Sequence, residues 1–389
     1  MNRRKRALGL FLALVSGIAA AALITVRQLP DDLIVHNDGN ARLATFLPVS
    51  VEINEENADS ARAKLFGVVK LKDVGIHREE PKKVLLAGTL FGLRMYSDGV
   101  MVVGLSDFDS GGRKVNPAKE SGISRGDMIR SANGRRIYTN EEFADAVKNS
   151  KGALTLELTD KNGKNRHVRL IPADSDADGC LKTGMWVRDS AAGIGTLTFI
   201  DPENGTFGGL GHGICDADTH EIVPIHEGEI VSAEIGSIRR GVRGSAGEIR
   251  GYLGGEELGV LEKNTLCGAY GQYTSALPTL KEYETAPKQE IRQGKAKILC
   301  TVQTDGRPRL YDVVIKRINY SGDPAKNMII TVTDEKLLKE TGGIIQGMSG
   351  SPLIQNGKFI GAVTHVFVND PTSGYAIFAE NMLRQQEDK

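Results

Sequence analysis

The segment Gly347-Met348-Ser349-Gly350-Ser351-Pro352 sets one hydroxyl between glycines. Small residues on both sides permit a tight, strained turn that lifts the serine side chain clear of its neighbours. The backbone N–H groups of Gly347 and Ser349 can then converge on one point and hold a developing oxyanion. Four residues after Pro352, Asn356-Gly357 is a type I′ hairpin signal, so two strands should follow the turn directly. The chemistry this arrangement serves is acyl transfer with Ser349 as nucleophile. Ser351 fills the small-residue position at the end of the turn and is the second choice. The competing explanation is an ordinary Ser/Gly turn between strands.

A serine hydroxyl at neutral pH needs a general base. Of the seven histidines, His36 and His77 fall in a polar N-terminal stretch and His167 lies far upstream of the serine, leaving His212, His220, His226 and His365. His212 sits inside Gly208-Gly209-Leu210-Gly211-His212-Gly213-Ile214, a glycine turn ahead of the serine, whereas His220 and His226 have polar neighbours. His212 is therefore the expected base. A third group should orient its ring. Asp334 follows the apolar run Ile329–Val332 and precedes Ser349 by fifteen residues, with Asp312 and Asp323 as rivals. Asp334 could equally cap a helix starting Glu335-Lys336-Leu337-Leu338. His365, sixteen residues after Ser349, is a candidate wall for a specificity pocket, or simply a packed strand residue.

These residues need a rigid frame. With 389 residues the chain is long enough for two or three domains. Lys+Arg and Asp+Glu are equal at 49 each, so no global charge draws the protein to nucleic acid. The 46 glycines and few aromatics favour turn-rich β structure. Arg3-Arg4-Lys5-Arg6 precedes an uncharged run from Ala7 to Val26, long enough to span a bilayer as a helix. The basic cluster predicts a cytoplasmic N-terminus and an exported remainder, with residues 1–27 a signal anchor; a cleaved signal peptide is the rival. Residues 28–83 are polar and uneven, a spacer with a short strand at Leu47–Val51. Cys180, Cys215, Cys267 and Cys300 form no CxxC pair, so no zinc knuckle is expected, and neither a metal nor a cofactor is required. Export would permit disulfides.

Ser121 to Ile137, SGISRGDMIRSANGRRI, resembles the core of PDZ domains, with a Gly-Asp turn leading into a strand that ends in Asn-Gly. The likeness spans Val84 to Pro172 and places a PDZ domain at 84–173. It implies an extended peptide, with the chain's own N-terminal segment as one candidate, lying between Gly92–Met95 and a helix from Asn140 to Asn149, with Gly92, Leu93, Phe143 and Val147 as its contacts. Thr139-Asn140-Glu141-Glu142 is a capping-box start for that helix. Asp174–Gly179 reads as a linker. Short strands and glycine turns from Trp186 onward suit a double β-barrel.

Gly-His-Gly-Ile, Gln-Gly-Met-Ser-Gly-Ser-Pro and the later Gly-Ala-Val-Thr-His-Val-Phe-Val-Asn-Asp-Pro-Thr-Ser-Gly-Tyr together resemble the SpoIVB peptidases, stage IV sporulation proteases of endospore-forming bacteria. Arg188 to Thr196 fits the same family. The resemblance implies a mainly β chain: a membrane helix, an α+β PDZ domain and a trypsin-like double-barrel serine protease at 180–389. It maps the triad onto His212, Asp334 and Ser349. It further implies a membrane-anchored enzyme in the forespore intermembrane space, which cleaves itself within the spacer. Such an enzyme then cuts the extracytoplasmic part of a membrane regulator, activating an intramembrane protease and a late sigma factor. A PDZ scaffold with a dead protease domain, or a quality-control protease of the HtrA kind, are the competing functions.

Overall fold

The computed structural model describes residues 29–35, 47–54 and 57–387, together with position 43 and ten scattered positions between 12 and 26. Those ten positions are helical, but most of the expected anchor lies outside the described residues. Among the described residues no helix is long and apolar enough to cross a membrane.

The stretch expected as a spacer folds into a sheet of its own. Strands β1 (Asp32–Val35), β2 (Val49–Asn54), β3 (Asn57–Leu65) and β4 (Val69–Arg78) pair in the order β1-β4-β3-β2, with β1 parallel to β4. Leu33, Val35, Ala61, Val74 and Ile76 form its small core. The sheet is clamped to the rest of the protein by charge. The Lys288 ammonium, 7% exposed, lies 2.8 Å from the Asp32 carboxylate and 3.1 Å from that of Glu380. Arg384 reaches both carboxylates as well, and the Gln289 amide donates to the Ile34 carbonyl.

Strand β5 (Lys83–Leu86) leads into β6 (Leu90–Leu105), sixteen residues without a break. After the hairpin β7 (Phe108–Ser110) and β8 (Arg113–Val115) come β9 (Met128–Ala132), β10 (Arg135–Arg136), the helix Asn140–Lys148, β11 (Leu154–Thr159) and β12 (Asn165–Leu170). The helix begins with the expected capping box between Thr139 and Glu142. Its Phe143 and Val147 join Val100, Ile129, Leu156 and Leu158 in one core. Two short strands, β13 (Ala173–Asp174) and β14 (Leu181–Lys182), connect this unit to β15 (Met185–Ile200).

Strands β15, β16 (Thr206–Gly209), β17 (Ile225–Arg239), β18 (Glu248–Thr265) and β19 (Gly268–Tyr273) complete a barrel with β6, in the circular order β6-β17-β18-β19-β16-β15. Phe91, Leu93, Leu197, Phe207, Leu210 and Ile230 fill it. A short β20 (Glu282–Glu284) pairs with β5. The second barrel is closed as β21 (Gly294–Cys300), β22 (Arg309–Ile318), β23 (Met328–Val332), β26 (Asp370–Phe378), β25 (Lys358–Phe367) and β24 (Pro352–Gln355). Two six-stranded barrels thus meet, as the run of short strands and glycine turns implied. The boundary expected between 173 and 180 is not a structural seam, because β6 serves both the α+β unit and the first barrel.

Candidate active site

The Ser349 turn hangs between the barrels. Its backbone is nailed to β15: the Thr196 N–H donates to the Ser349 carbonyl (3.0 Å), the Thr196 hydroxyl to Gly347 O (2.8 Å) and the Thr198 hydroxyl to Gly350 O (2.7 Å). On the other side the Gly350 N–H donates to Val363 O at 2.8 Å. Gly347 and Gly350 have φ of +99° and +95°, a region open to glycine alone at little cost. A Cβ at Gly350 would fall 2.1 Å from Thr196 O and 2.6 Å from Leu210 N. The glycines around the serine are therefore a steric demand, not a composition accident. Neither the Gly347 nor the Ser349 N–H is used in a hydrogen bond among the described residues, as an oxyanion site requires.

His212 occupies the turn that ends β16. Gly211 before it has φ +70°, and a Cβ there would lie 3.1 Å from the Thr364 methyl and 3.4 Å from Val363 O. The His212 ring sits 4.8 Å, centroid to centroid, from that of His365. The Ser349 hydroxyl donates to Thr364 O at 2.7 Å. The Ser349 turn and the His212 turn thus both rest on Val363–His365 of β25. His212 Nδ1 lies 2.9 Å from Gly213 O, the geometry of an Nδ1–H donor, which leaves Nε2 as the basic nitrogen. Burial holds the His212 imidazole below its ordinary pKa, with the bond to Gly213 acting against that. His365 is pushed down to about 4, first by burial and then by the His212 and Lys326 charges, against the pull of Asp323.

Asp334 lies elsewhere. One carboxylate oxygen accepts from the Lys336 and Leu337 N–H groups at 3.0 and 3.2 Å, capping the helix Glu335–Thr341. The other accepts from the Asp312 N–H at 3.3 Å. Of the two roles open to this residue in the sequence, the structure places it in the helix cap, and the bond on His212 Nδ1 goes to a backbone carbonyl. Asp323 makes an ion pair with Lys326 at 2.8 Å, and Asp312 one with Lys297 at 2.7 Å. Ser351 is fully buried, with its hydroxyl 3.5 Å from that of Thr196, so it belongs to the frame of the turn. The bracing threonines, Thr196 and Thr198, were not singled out in the sequence. Their alternation in Gly195-Thr196-Leu197-Thr198 was the available signal, since both are buried and a buried hydroxyl needs a partner.

The peptide edge expected at Gly92 and Leu93 is not an edge. Both pair with β15 on one side and β17 on the other: Leu93 faces Gly193 and Ile230, Gly92 faces Ile194 and Val231. A Cβ at Gly92 would lie 2.4 Å from the Leu253 side chain and 2.9 Å from that of Val231, so no peptide can be added beside it. Phe143 and Val147 do line a groove, of about 430 Å³, but its opposite wall is Leu181–Val187. There Met185, Trp186 and Val187 pair with Leu105, Gly104 and Val102. The opposite edge of β15 meets no strand before Leu197 among the described residues. Trp186 is 65% exposed. All four cysteines are free thiols.

The family model described as SpoIVB peptidase S55 matches residues 179–383. Among solved structures the chain is similar to the Rv3671c protease of M. tuberculosis in its active form, at 16% identity over 51% of this chain and 74% of that one, with a TM-score of 0.31. It is also similar to the HtrA-type protease AlgW with a decapeptide, at 14% identity over 51% and 53%, with a TM-score of 0.31.

Proposed function

This chain belongs to the SpoIVB peptidase S55 family and is a serine peptidase, and from that premise we propose that Ser349 is its nucleophile and His212 its general base. The observation that carries the reading is the convergence of both turns on Val363–His365. Rotation of the Ser349 hydroxyl away from Thr364 O frees it to attack a peptide carbonyl. His212 Nε2 takes its proton as the C–O bond forms, and the free Gly347 and Ser349 N–H groups hold the oxyanion. His212 then protonates the leaving amine as the C–N bond breaks. A water deprotonated by the same nitrogen releases the acyl group. Gly213 O holds the tautomer throughout, and Asp334 contributes by capping the helix that leads into the nucleophile segment.

The expected role is restricted proteolysis in sporulation: an anchored, extracytoplasmic peptidase that trims itself and then cuts a membrane regulator. The family match supports it, and so does the uncharged run behind a basic cluster at the N-terminus. The groove between Asn140–Lys148 and Met185–Val187 favours a second, compatible activity, capture of an extended peptide in PDZ fashion. The deciding experiment treats the full chain and its Ser349→Ala variant with a fluorophosphonate and follows self-cleavage. Labelling and trimming in the parent alone support the assignment. A folded parent that does neither shifts the balance to a scaffold whose protease domain is inert.

A further inference from the structure

Phe66-Gly67-Val68-Val69 forms the tip of the β3–β4 hairpin, and its apolar side chains face outward. Phe66 is 58%, Val68 80% and Val69 47% exposed. The tip is a defined turn: the Val68 N–H donates to Leu65 O at 3.1 Å and the Phe66 N–H to Pro48 O at 2.9 Å. Phe66 itself has φ +52°, an uncommon conformation for a bulky side chain. Leu65 before it is fully buried, so the tip is rooted in the small core of its sheet. A rooted turn that spends backbone strain to hold an aromatic ring in water marks a docking surface.

The position of the tip selects the partner. Strand β1 runs parallel to β4, with Asp32 opposite Gly75, so the chain before β1 extends toward the tip. The Lys72 ammonium donates to Leu29 O and to the Asp31 carboxylate, both at 2.9 Å. From Lys72 to Val69 is three strand residues, about 10 Å. The uncharged run Ala7–Val26 therefore ends on the same side of the sheet as the tip, and Leu12 and Leu23 within it are 56% and 67% exposed. The flanking lysines are already paired, Lys64 with Glu52 and Lys70 with Asp73, which leaves apolar burial as the driving force.

We propose that Phe66–Val69 is a lipid-docking tip that enters the boundary between headgroups and acyl chains, pressing the N-terminal sheet against the bilayer. The proposal rests on the membrane attachment expected for the chain and is independent of the peptidase chemistry. Because Asp32 is clamped to Lys288 and Arg384, a docked tip would also hold the barrels at a set height above the membrane.

The full chain is reconstituted into phosphatidylcholine vesicles in a Trp186→Phe background, carrying either Phe66→Trp or, as a remote exposed control, Val242→Trp (Val242 is 61% exposed). Spin-labelled phosphatidylcholine quenches an indole that reaches the acyl boundary. The indole at position 66 should shift to the blue and be quenched several-fold more strongly than the one at 242. Adding Val68→Asp to Phe66→Trp should remove the difference while fluorophosphonate labelling persists as a check on folding. Equal quenching at the two positions, quenching unaffected by Val68→Asp, or a protein that does not float with the vesicles overturns the proposal. A blue shift at position 66 that grows with protein concentration without vesicles would assign the tip to a second copy of the chain, and overturns it too.

Discussion

Asparagine and alanine at position 334 separate the two roles open to one carboxylate. As a cap, Asp334 accepts from Lys336 and Leu337 N–H groups and from the Asp312 N–H. Alanine loses all three. The missing cap costs about 1 kcal/mol, and losing the bond from the exposed Asp312 N–H, which water can replace, adds about 0.5 kcal/mol. At the usual unfolding entropy per residue a chain of 389 residues loses roughly 1–2 °C of Tm per kcal/mol, so Asp334→Ala should melt about 2–3 °C below the parent. Asparagine keeps a carbonyl oxygen and caps about as well. It loses only the favourable charge at the helix N-terminus, about 0.5 kcal/mol. Asp334→Asn should therefore melt within about 1 °C of the parent and react with a fluorophosphonate at a similar rate. If Asp334 instead oriented His212 during catalysis, asparagine would preserve stability and cost about 10⁴ in rate, as it does in serine-protease triads. Labelling rates measured beside melting curves read both quantities on the same samples. A folded Asp334→Asn protein that labels thousands of times more slowly than the parent would refute the cap reading.

The pH profile follows from His212, which must be neutral to act as base and whose pKa lies below its ordinary 6.5 through burial. Activity should rise with pH through a midpoint below 6.5, and a midpoint at or above that value would count against His212 as the base. Both His212 and His365 have folded values below their unfolded ones, so the fold favours the neutral rings; stability should be complete above about pH 6.5 and fall as pH drops toward 4, which melting curves across that window would show. Gly350→Ala drives a methyl into Thr196 O at 2.1 Å on a φ of +95°. It should cost at least about 2 kcal/mol and abolish labelling even where some fold remains. Lys288→Ala leaves Glu380, 5% exposed, with Arg384 as its one cation among the described residues. It should destabilise by about 3 kcal/mol and expose the Asp32–Arg78 sheet to limited proteolysis, with chemical denaturation giving the magnitude.

The glycine frame of the Ser349 turn was legible because steric demand writes itself locally. A turn in which a Cβ at position 350 would fall within 3 Å of Thr196 O and Leu210 N admits only glycine there, and glycine is visible in the sequence. The same holds for Gly211 before His212. The barrels were legible as a density of short strands and turns. What was not legible is which strand lies beside which. Phe91, Leu93 and Met95 are buried and Gly92 is packed against Leu253 and Val231, yet the same run of residues reads equally well as the edge of a small domain. Periodicity reports burial, not partners. The N-terminal sheet escaped for a related reason: β2 and β4 have largely exposed or half-buried faces, and their few apolar positions gather into a core only once the four strands pair. Asp334 was ambiguous in the sequence because an N-cap and a triad member can be the same residue type just after a strand, and only the hydrogen bonds decide.

Strand β15 explains why the two halves of this chain form one machine. Its first residues, Met185–Val187, wall the groove beside the helix Asn140–Lys148, and its last, Thr196 and Thr198, hold the Ser349 turn. Between them it lies against β6 from Leu105 to Leu90. The family-matched segment begins at residue 179, but a barrel begun there would lack β6. Both β15 and β17 would then lose a neighbour, and the pocket around Phe91 would open to water. A buried strand with unpaired N–H and C=O groups on two sides is not a stable arrangement. The peptidase unit must therefore include Leu90–Leu105, residues that the α+β unit also needs for its own sheet and core. Shared strands leave no hinge between the two: the register that sets Met185 in the groove is the register that sets Thr196 under the Ser349 turn.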